Sequence, residues 1–140
     1  MKGSTSKTLH QKMNADLKVV VDTGGTKLGP YNPCICVGPN IWVSGQIGVD
    51  GGDTLEAQSL SLMKKIDGIL EAAGSSKGDL VFCTVLLADM GSFKEFNDIY
   101  ANWLEGTTFP ARAAYAVKDL PAGALVEVAV QAMKGSGGGN

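Results

Sequence analysis

Arginine is almost missing from this 140-residue sequence, which carries its positive charge on lysine and has a single guanidinium, Arg112. Histidine is equally scarce, with His10 alone. The formal net charge is −2 and the lysines are scattered, so the chain lacks the basic stripe that nucleic acid or an anionic membrane surface demands. No apolar run approaches the ~20 residues that span a bilayer, and a soluble protein is expected. Three cysteines, an odd number with no secretory leader ahead of them, make no disulfide framework and point to a reducing compartment, the cytoplasm by default.

The same shortages narrow the chemistry. A metal site wants about four ligands, and although Cys34 and Cys36 share a strand face, His10 lies in the N-terminal arm; no metal is expected, and the cysteines read as small buried hydrophobes. A nucleophilic triad has no histidine in the folded region to activate it. VDTGGTK lacks the spacing of a phosphate loop, and no helix follows it.

What is present reads as one domain over residues 15–134, between a solvated arm (1–14) and a glycine-rich tail (135–140) too poor in apolar residues to pack. The Ser, Thr and Lys of the arm, with no acid before Asp16, give only a faint organelle-targeting signal. LKVVVD forms a short strand, followed by the irregular TGGTKLGPYNP; CICVG and IWVSGQ form a hairpin turning at Gly38-Pro39-Asn40. A first helix is expected to start at an Asp53/Glu56 capping box, to run through Leu55, Leu62, Met63, Ile66, Ile69, Leu70 and Ala73, and to stop at Gly74. A second carries the same signal at Ser92 and Glu95, the stripe Phe93, Phe96, Ile99, Tyr100, Trp103 and Leu104, and a stop at Gly106.

Between the helices, DLVFCTVLLAD is apolar on both faces, with Leu80, Phe82 and Leu86 pointing one way and Val81, Val85 and Leu87 the other. RAAYAV and LVEVAVQAM close the sheet. Two helices cover one face of five or six strands, and the other face is too apolar for water; another copy of the same subunit is the economical cover.

Two residues carry candidate chemistry. Glu127 lies among valines on a strand face with Leu125, Ala129 and Gln131, as a solvent-facing glutamate or as an acid/base. Arg112 sits in an apolar strand, as a surface or wall arginine or as a planar fork for a carboxylate.

Taken in order, GPYNPCICVGPNIWVSGQIGVD, ILEAAGSS, LLADMGSFKEFNDIYANWL and FPARAAYAVKDLPAGALVEV resemble the RidA/YjgF family of enamine/imine deaminases, from about Gly29 to Ala132. The P-A-R and G-x-x-V-E block is specific to it. The resemblance implies an α+β, chorismate-mutase-like mixed sheet of about six strands with two helices on one face, a homotrimer with clefts at subunit interfaces, and no cofactor. It implies hydrolysis of 2-enamine/2-imine intermediates such as 2-aminoacrylate to 2-keto acids and ammonia, with Arg112 as carboxylate anchor and Glu127 as the acid holding the attacking water. Tyr31, Ser44, Gly45 and Asn97 correspond to pocket positions. Some family members are described as ribonucleases or translation inhibitors, and a non-catalytic ligand-binding or chaperone-like trimer is a further reading.

Three departures accompany the resemblance. Asn32, Pro33 and Cys34 replace a more common Ser-Gln-Ala, Ala114 stands where some relatives have cysteine, so that no thiol is expected to line the site, and IGVDGGDTLEAQ is shorter than the usual approach to the first helix.

Overall fold

A computed structural model describes residues 17–138. The arm expected over 1–14 therefore lies outside the described residues. Six strands form one sheet: β1 (Val19–Val21), β2 (Cys34–Val37), β3 (Asn40–Ile47), β4 (Leu80–Leu87), β5 (Ala111–Ala116) and β6 (Val126–Met133), in spatial order β1-β2-β3-β6-β4-β5. All neighbours are antiparallel except β4 and β5, which run parallel because a helix connects them. The helices are α1 (Leu55–Ala72) and α2 (Phe93–Trp103). This is the α+β arrangement expected.

Strand periodicity decides where the core sits. Val126, Val128, Val130 and Ala132 of β6 and Cys83, Val85 and Leu87 of β4 point to one face and are buried with Leu62, Ile66, Leu70 and Phe96 of the helices. The alternate residues, Phe82, Thr84, Leu86, Glu127 and Ala129, are only half-buried and occupy the face without helices.

The expected facing of β4 needs one correction. The register against β6 passes from Leu80↔Ala132 to Phe82↔Gln131, which leaves Val81 as the extra residue of a bulge. Leu80 thereby joins the helix face and is buried, whereas Val81 is 45% exposed. A period-2 reading could not see the inserted residue.

One capping box moves by a residue, and the other keeps its N-cap residue, Ser92, without the side-chain bond. Thr54, not Asp53, caps α1, its hydroxyl accepting from the Ala57 N–H at 3.1 Å. The approach is set by tertiary contacts: the buried Gln58 amide donates to the Gly52 carbonyl and accepts from the Leu125 N–H, tying the helix entry to β6. Ser92 makes no side-chain cap; a 3-10 turn over Met90–Ser92 precedes α2, and the Asp89 carboxylate accepts from the Gly91 N–H at 2.8 Å. The stop at Gly74 holds, with φ +78° and the Ser75 N–H reaching back to the Leu70 carbonyl. Between β3 and α1 there is only a 3-10 turn over Val49–Gly51.

The tail is a further correction over its described part. Buried Asp79 accepts from the Gly135 N–H at 3.1 Å, the Gly137 N–H at 2.7 Å and the Ser75 hydroxyl at 2.6 Å. These bonds hold the Asp79 carboxyl below the usual carboxylate range despite its burial, which pushes the other way. Backbone N–H groups, not apolar side chains, fasten residues 135–137, and composition does not report those. Among the described residues no helix is long and apolar enough to cross a membrane.

Candidate active site

The candidate residues fall into two groups on opposite faces of the sheet. The first gathers Tyr31, Ser44, Gly45 and Glu127 around a cavity of about 430 Å³ that Leu28, Ile47 and Pro121 complete. A bulge in β3 builds it: three steps from Val43 to Gln46 face two steps from Val130 to Val128, so Ser44 and Gly45 leave the regular ladder beside Glu127. Ser44 is fixed there by its N–H to the Pro33 carbonyl (2.9 Å) and its hydroxyl to the Asn32 carbonyl (2.6 Å).

Gly45 is a steric requirement. A Cβ at this position would sit 2.8 Å from the Glu127 carboxyl carbon, 3.1 Å from its Cγ and closer still to its Oε2. The carboxylate lies against the bare backbone of β3. Burial between Ile47 and Leu86, its cross-strand neighbours, pushes the Glu127 carboxyl above the ordinary glutamate value, with no compensating cation. Tyr31 stands at the rim, its hydroxyl accepting from the Leu28 N–H at 3.3 Å and keeping its own proton to donate.

The second group surrounds Arg112. In the parallel register Arg112 pairs with Cys83, on the helix face of the sheet. Its guanidinium carbon lies 4.8 Å from the Tyr100 ring centre and 5.6 Å from that of Phe93. Cation–π attraction therefore orients the fork, and none of the ion pairs among the described residues involves it. Asn97 is on the same helical face as these two aromatics, and its buried Oδ1 is unpartnered, as is the Tyr100 hydroxyl.

A thiol does approach Arg112, from β4 and not from position 114: Cys83 is fully buried beneath it. Burial raises the Cys83 thiol, while the Tyr100 hydroxyl and the Arg112 charge pull it down. Burial and the adjacent thiol raise Tyr100. The thiol and the hydroxyl are close enough to influence each other, but they lack an aligned hydrogen bond. Cys34 is likewise buried and pushed up to about 12, by burial first and Cys36 second, which leaves it an inert core thiol. Among the described residues no three His, Cys, Asp or Glu side chains cluster as metal ligands.

Arg112 and Glu127 thus do not converge within one chain. Arg112 follows the face of Cys83, Glu127 the face of Leu86, and β4 lies between their strands. Sequence reading overlooked Phe93 and Tyr100 as the walls of the guanidinium, because aromatics at helical spacing are indistinguishable from a core stripe. Leu28, next to GPY, and Pro121 had no signal beyond their neighbours.

Comparison with known proteins gives this geometry its family. The model of the family described as Endoribonuclease L-PSP, the RidA/YjgF family, matches residues 25–134. This chain belongs to it. It is 38% identical to the 2-iminobutanoate/2-iminopropanoate deaminase of Mus musculus, over 88% of this chain and 96% of that one. It is 40% identical to the protein of the same name from Homo sapiens, over 77% and 82%. Among solved structures, the conserved Rid-family protein YyfA from Yersinia pestis superposes with a TM-score of 0.78 at 38% identity, covering 84% of this chain and 99% of that one. The two groups of side chains described above all fall within the matched segment.

Proposed function

We propose that this protein hydrolyses 2-enamine and 2-imino acids such as 2-aminoacrylate to 2-keto acids and ammonia, without a cofactor, as a homotrimer whose sites each join Arg112 of one subunit to Glu127 of the next. The observation that carries this reading is the unpaired guanidinium. An arginine held against two aromatic rings with no acidic partner among the described residues is pre-organised for a carboxylate brought to it. The deaminase names of relatives at 38 and 40% identity supply the reaction class.

The sheet supports assembly. Trp42 and Tyr115 are 43 and 50% exposed on the face without helices, beside half-buried Phe82 and Leu86, and a second copy is the symmetric way to cover them. Arg112 and Glu127 lie on opposite faces of the sheet within one chain, so a site that uses both draws them from two subunits.

The steps need one acid/base and one anchor. With the substrate carboxylate in the Arg112 fork, the Glu127 carboxyl, whose affinity for a proton is raised by burial, acts as general acid: it gives its proton to the methylene carbon of 2-aminoacrylate and leaves an iminium. Its carboxylate then takes a proton from water as the water oxygen bonds to C2. Returning that proton to nitrogen breaks the C–N bond and releases ammonia. The hydroxyl proton restores Glu127, and the 2-keto acid departs. Tyr31 and Gly45 bound the space in which the water must sit.

The test is ammonia and pyruvate release from 2-aminoacrylate generated freshly in the assay. Catalysed release that is lost in Glu127→Gln is expected; release at the buffer rate with wild-type protein overturns the proposal. Light scattering at three times the 14.5 kDa chain mass checks the assembly, and a monomer at micromolar concentration refutes it.

A further inference from the structure

The Trp103 indole N–H donates to Asp67 Oδ1 at 3.0 Å, and among the described residues this is the one side-chain hydrogen bond that joins α1 to α2. Trp103 is buried and Asp67 half-buried. The reaction proposed above makes no use of either.

From Trp103 a column of rings leads to the guanidinium. Phe96, Tyr100 and Trp103 follow one another at helical spacing on α2, and the Tyr100 ring centre lies 5.8 Å from that of Phe96, tilted, and 6.1 Å from that of Trp103, edge to face. Tyr100 in turn carries the Arg112 guanidinium carbon 4.8 Å from its ring centre. The buried Tyr100 hydroxyl has no hydrogen-bond partner, so no polar contact fixes this ring. Its place is set by the rings on either side.

Trp103 is not held by packing alone. A cavity of about 330 Å³ opens beside it between Leu60, Met63 and Ile99, with Asp67 on its wall. An indole without its hydrogen bond has room to turn there, and its N–H, buried and unpaired, has reason to. The Asp67 carboxylate removes that freedom.

We infer that Asp67 and Trp103 are positioning residues for the Arg112 fork: their hydrogen bond fixes the indole edge, the indole fixes the Tyr100 ring, and the ring aims the guanidinium at the substrate carboxylate. Neither residue touches the substrate. A bidentate contact is sensitive to such small displacements, because both N–H groups must line up at once. The inference rests on the anchor role of Arg112 in the deaminase reading above.

The experiment uses the full chain labelled with nitrogen-15. Arg112 is the only arginine, so its Nε–Hε resonance is a single signal, displaced by the ring currents of Tyr100 and Phe93. In Asp67→Ala this signal is expected to move towards the value of a free arginine. KM for 2-iminobutanoate, generated in place by an amino-acid oxidase, should rise about threefold to tenfold with kcat within about twofold, and 2-oxobutanoate should bind more weakly by the same factor. Asp67→Asn keeps an acceptor for the indole and is expected to restore both the signal and KM. Trp103→Phe keeps a ring but has no N–H; it should resemble Asp67→Ala, and adding Asp67→Ala to it should change nothing further.

A purely stabilising hydrogen bond would lower the melting temperature of Asp67→Ala and leave the Arg112 signal and KM in place, which overturns the inference. Failure of Asp67→Asn to restore them, or additive effects in the double variant, would do the same. Trp103→Phe gives the answer even where Asp67→Ala does not fold. If the Arg112 signal and 2-oxobutanoate binding respond as expected in a protein that hydrolyses no imine, the positioning pair stands and the deaminase reading falls. If hydrolysis is intact and no variant moves the signal or KM, the reverse holds.

Discussion

Mixing two inactive variants tests directly whether the site is composite. The sheet places Arg112 on the helix face in register with Cys83, and Glu127 on the opposite face in register with Leu86. If each site takes one residue from each of two subunits, Arg112→Ala and Glu127→Gln homotrimers are both dead at every site, each losing on the order of a hundredfold or more. Denaturing an equal mixture and refolding it makes random trimers. A site regains activity only where the subunit giving the arginine carries the glutamate lesion and its neighbour carries the arginine lesion, a chance of about one in four for random pairing. Recovery to about a quarter of wild-type activity is therefore expected, far above either parent. Native mass spectrometry of differently tagged chains confirms that the trimers have mixed. Mixed trimers that stay at the parental background would refute the argument from the two faces, because they would mean that both residues act within one subunit.

Gly45→Ala is expected to fold with a stability change within about 1 kcal/mol, because its new methyl group meets the movable end of Glu127 and not backbone, yet to lose on the order of a hundredfold in rate through the displaced carboxylate. Melting curves beside imine-hydrolysis rates check it. Arg112→Lys should keep the charge over Tyr100 but lose the fork, costing about 2 to 4 kcal/mol of transition-state stabilisation with little change in melting. Arg112→Ala adds only the loss of a stacked cation, about 1 to 2 kcal/mol of stability. Full activity in Arg112→Lys, or an Arg112→Ala protein that melts early and never assembles, would defeat the anchor role. Because burial raises the Glu127 carboxyl, the folded state binds its proton more tightly than the unfolded chain, and stability falls as pH rises from the unfolded value towards the folded one. Glu127→Gln should therefore melt above wild type at neutral pH and lose that advantage below the ordinary glutamate value; identical melting at both extremes would count against the burial argument. Asp79 has the opposite sign: its depressed carboxyl stabilises above its unfolded value and loses that contribution as pH falls through the folded one, so Asp79→Ala should cost about 1 to 3 kcal/mol at neutral pH and little in strong acid, read from melting curves.

What was legible in the sequence follows from the range of the interactions. Alternation and helical spacing gave six strands and two helices, because each reports a face buried against the rest of the chain. The start of α1 moved by one residue because Asp53 and Thr54 are both competent caps, and Gln58, reaching to β6, decided between them. The bulges at Val81 and at Ser44-Gly45 were invisible for a related reason: an extra residue in a strand changes no composition and shows only against its partner. The described tail is fastened through its backbone, which every sequence has in common.

The site divides along the same line. The resemblance picked out Tyr31, Ser44, Gly45, Asn97, Arg112 and Glu127, but motifs carry no information about which side of a sheet a residue faces. The two bulges and the parallel pairing of β4 with β5 distribute those six residues over two faces. Arg112 explains why this is consistent with a single chemistry. A guanidinium facing a carboxylate of its own chain would be neutralised in the empty protein, and a substrate carboxylate would then have to displace it. Keeping Glu127 on the far side of the sheet leaves the fork stacked and without an ion pair among the described residues, and leaves the burial that raises the Glu127 carboxyl without a neighbouring cation to offset it. On this reading the separation within one chain is what allows an anchor and an acid of opposite charge to be built into one protein without cancelling each other, and assembly brings them only as close as the substrate between them permits.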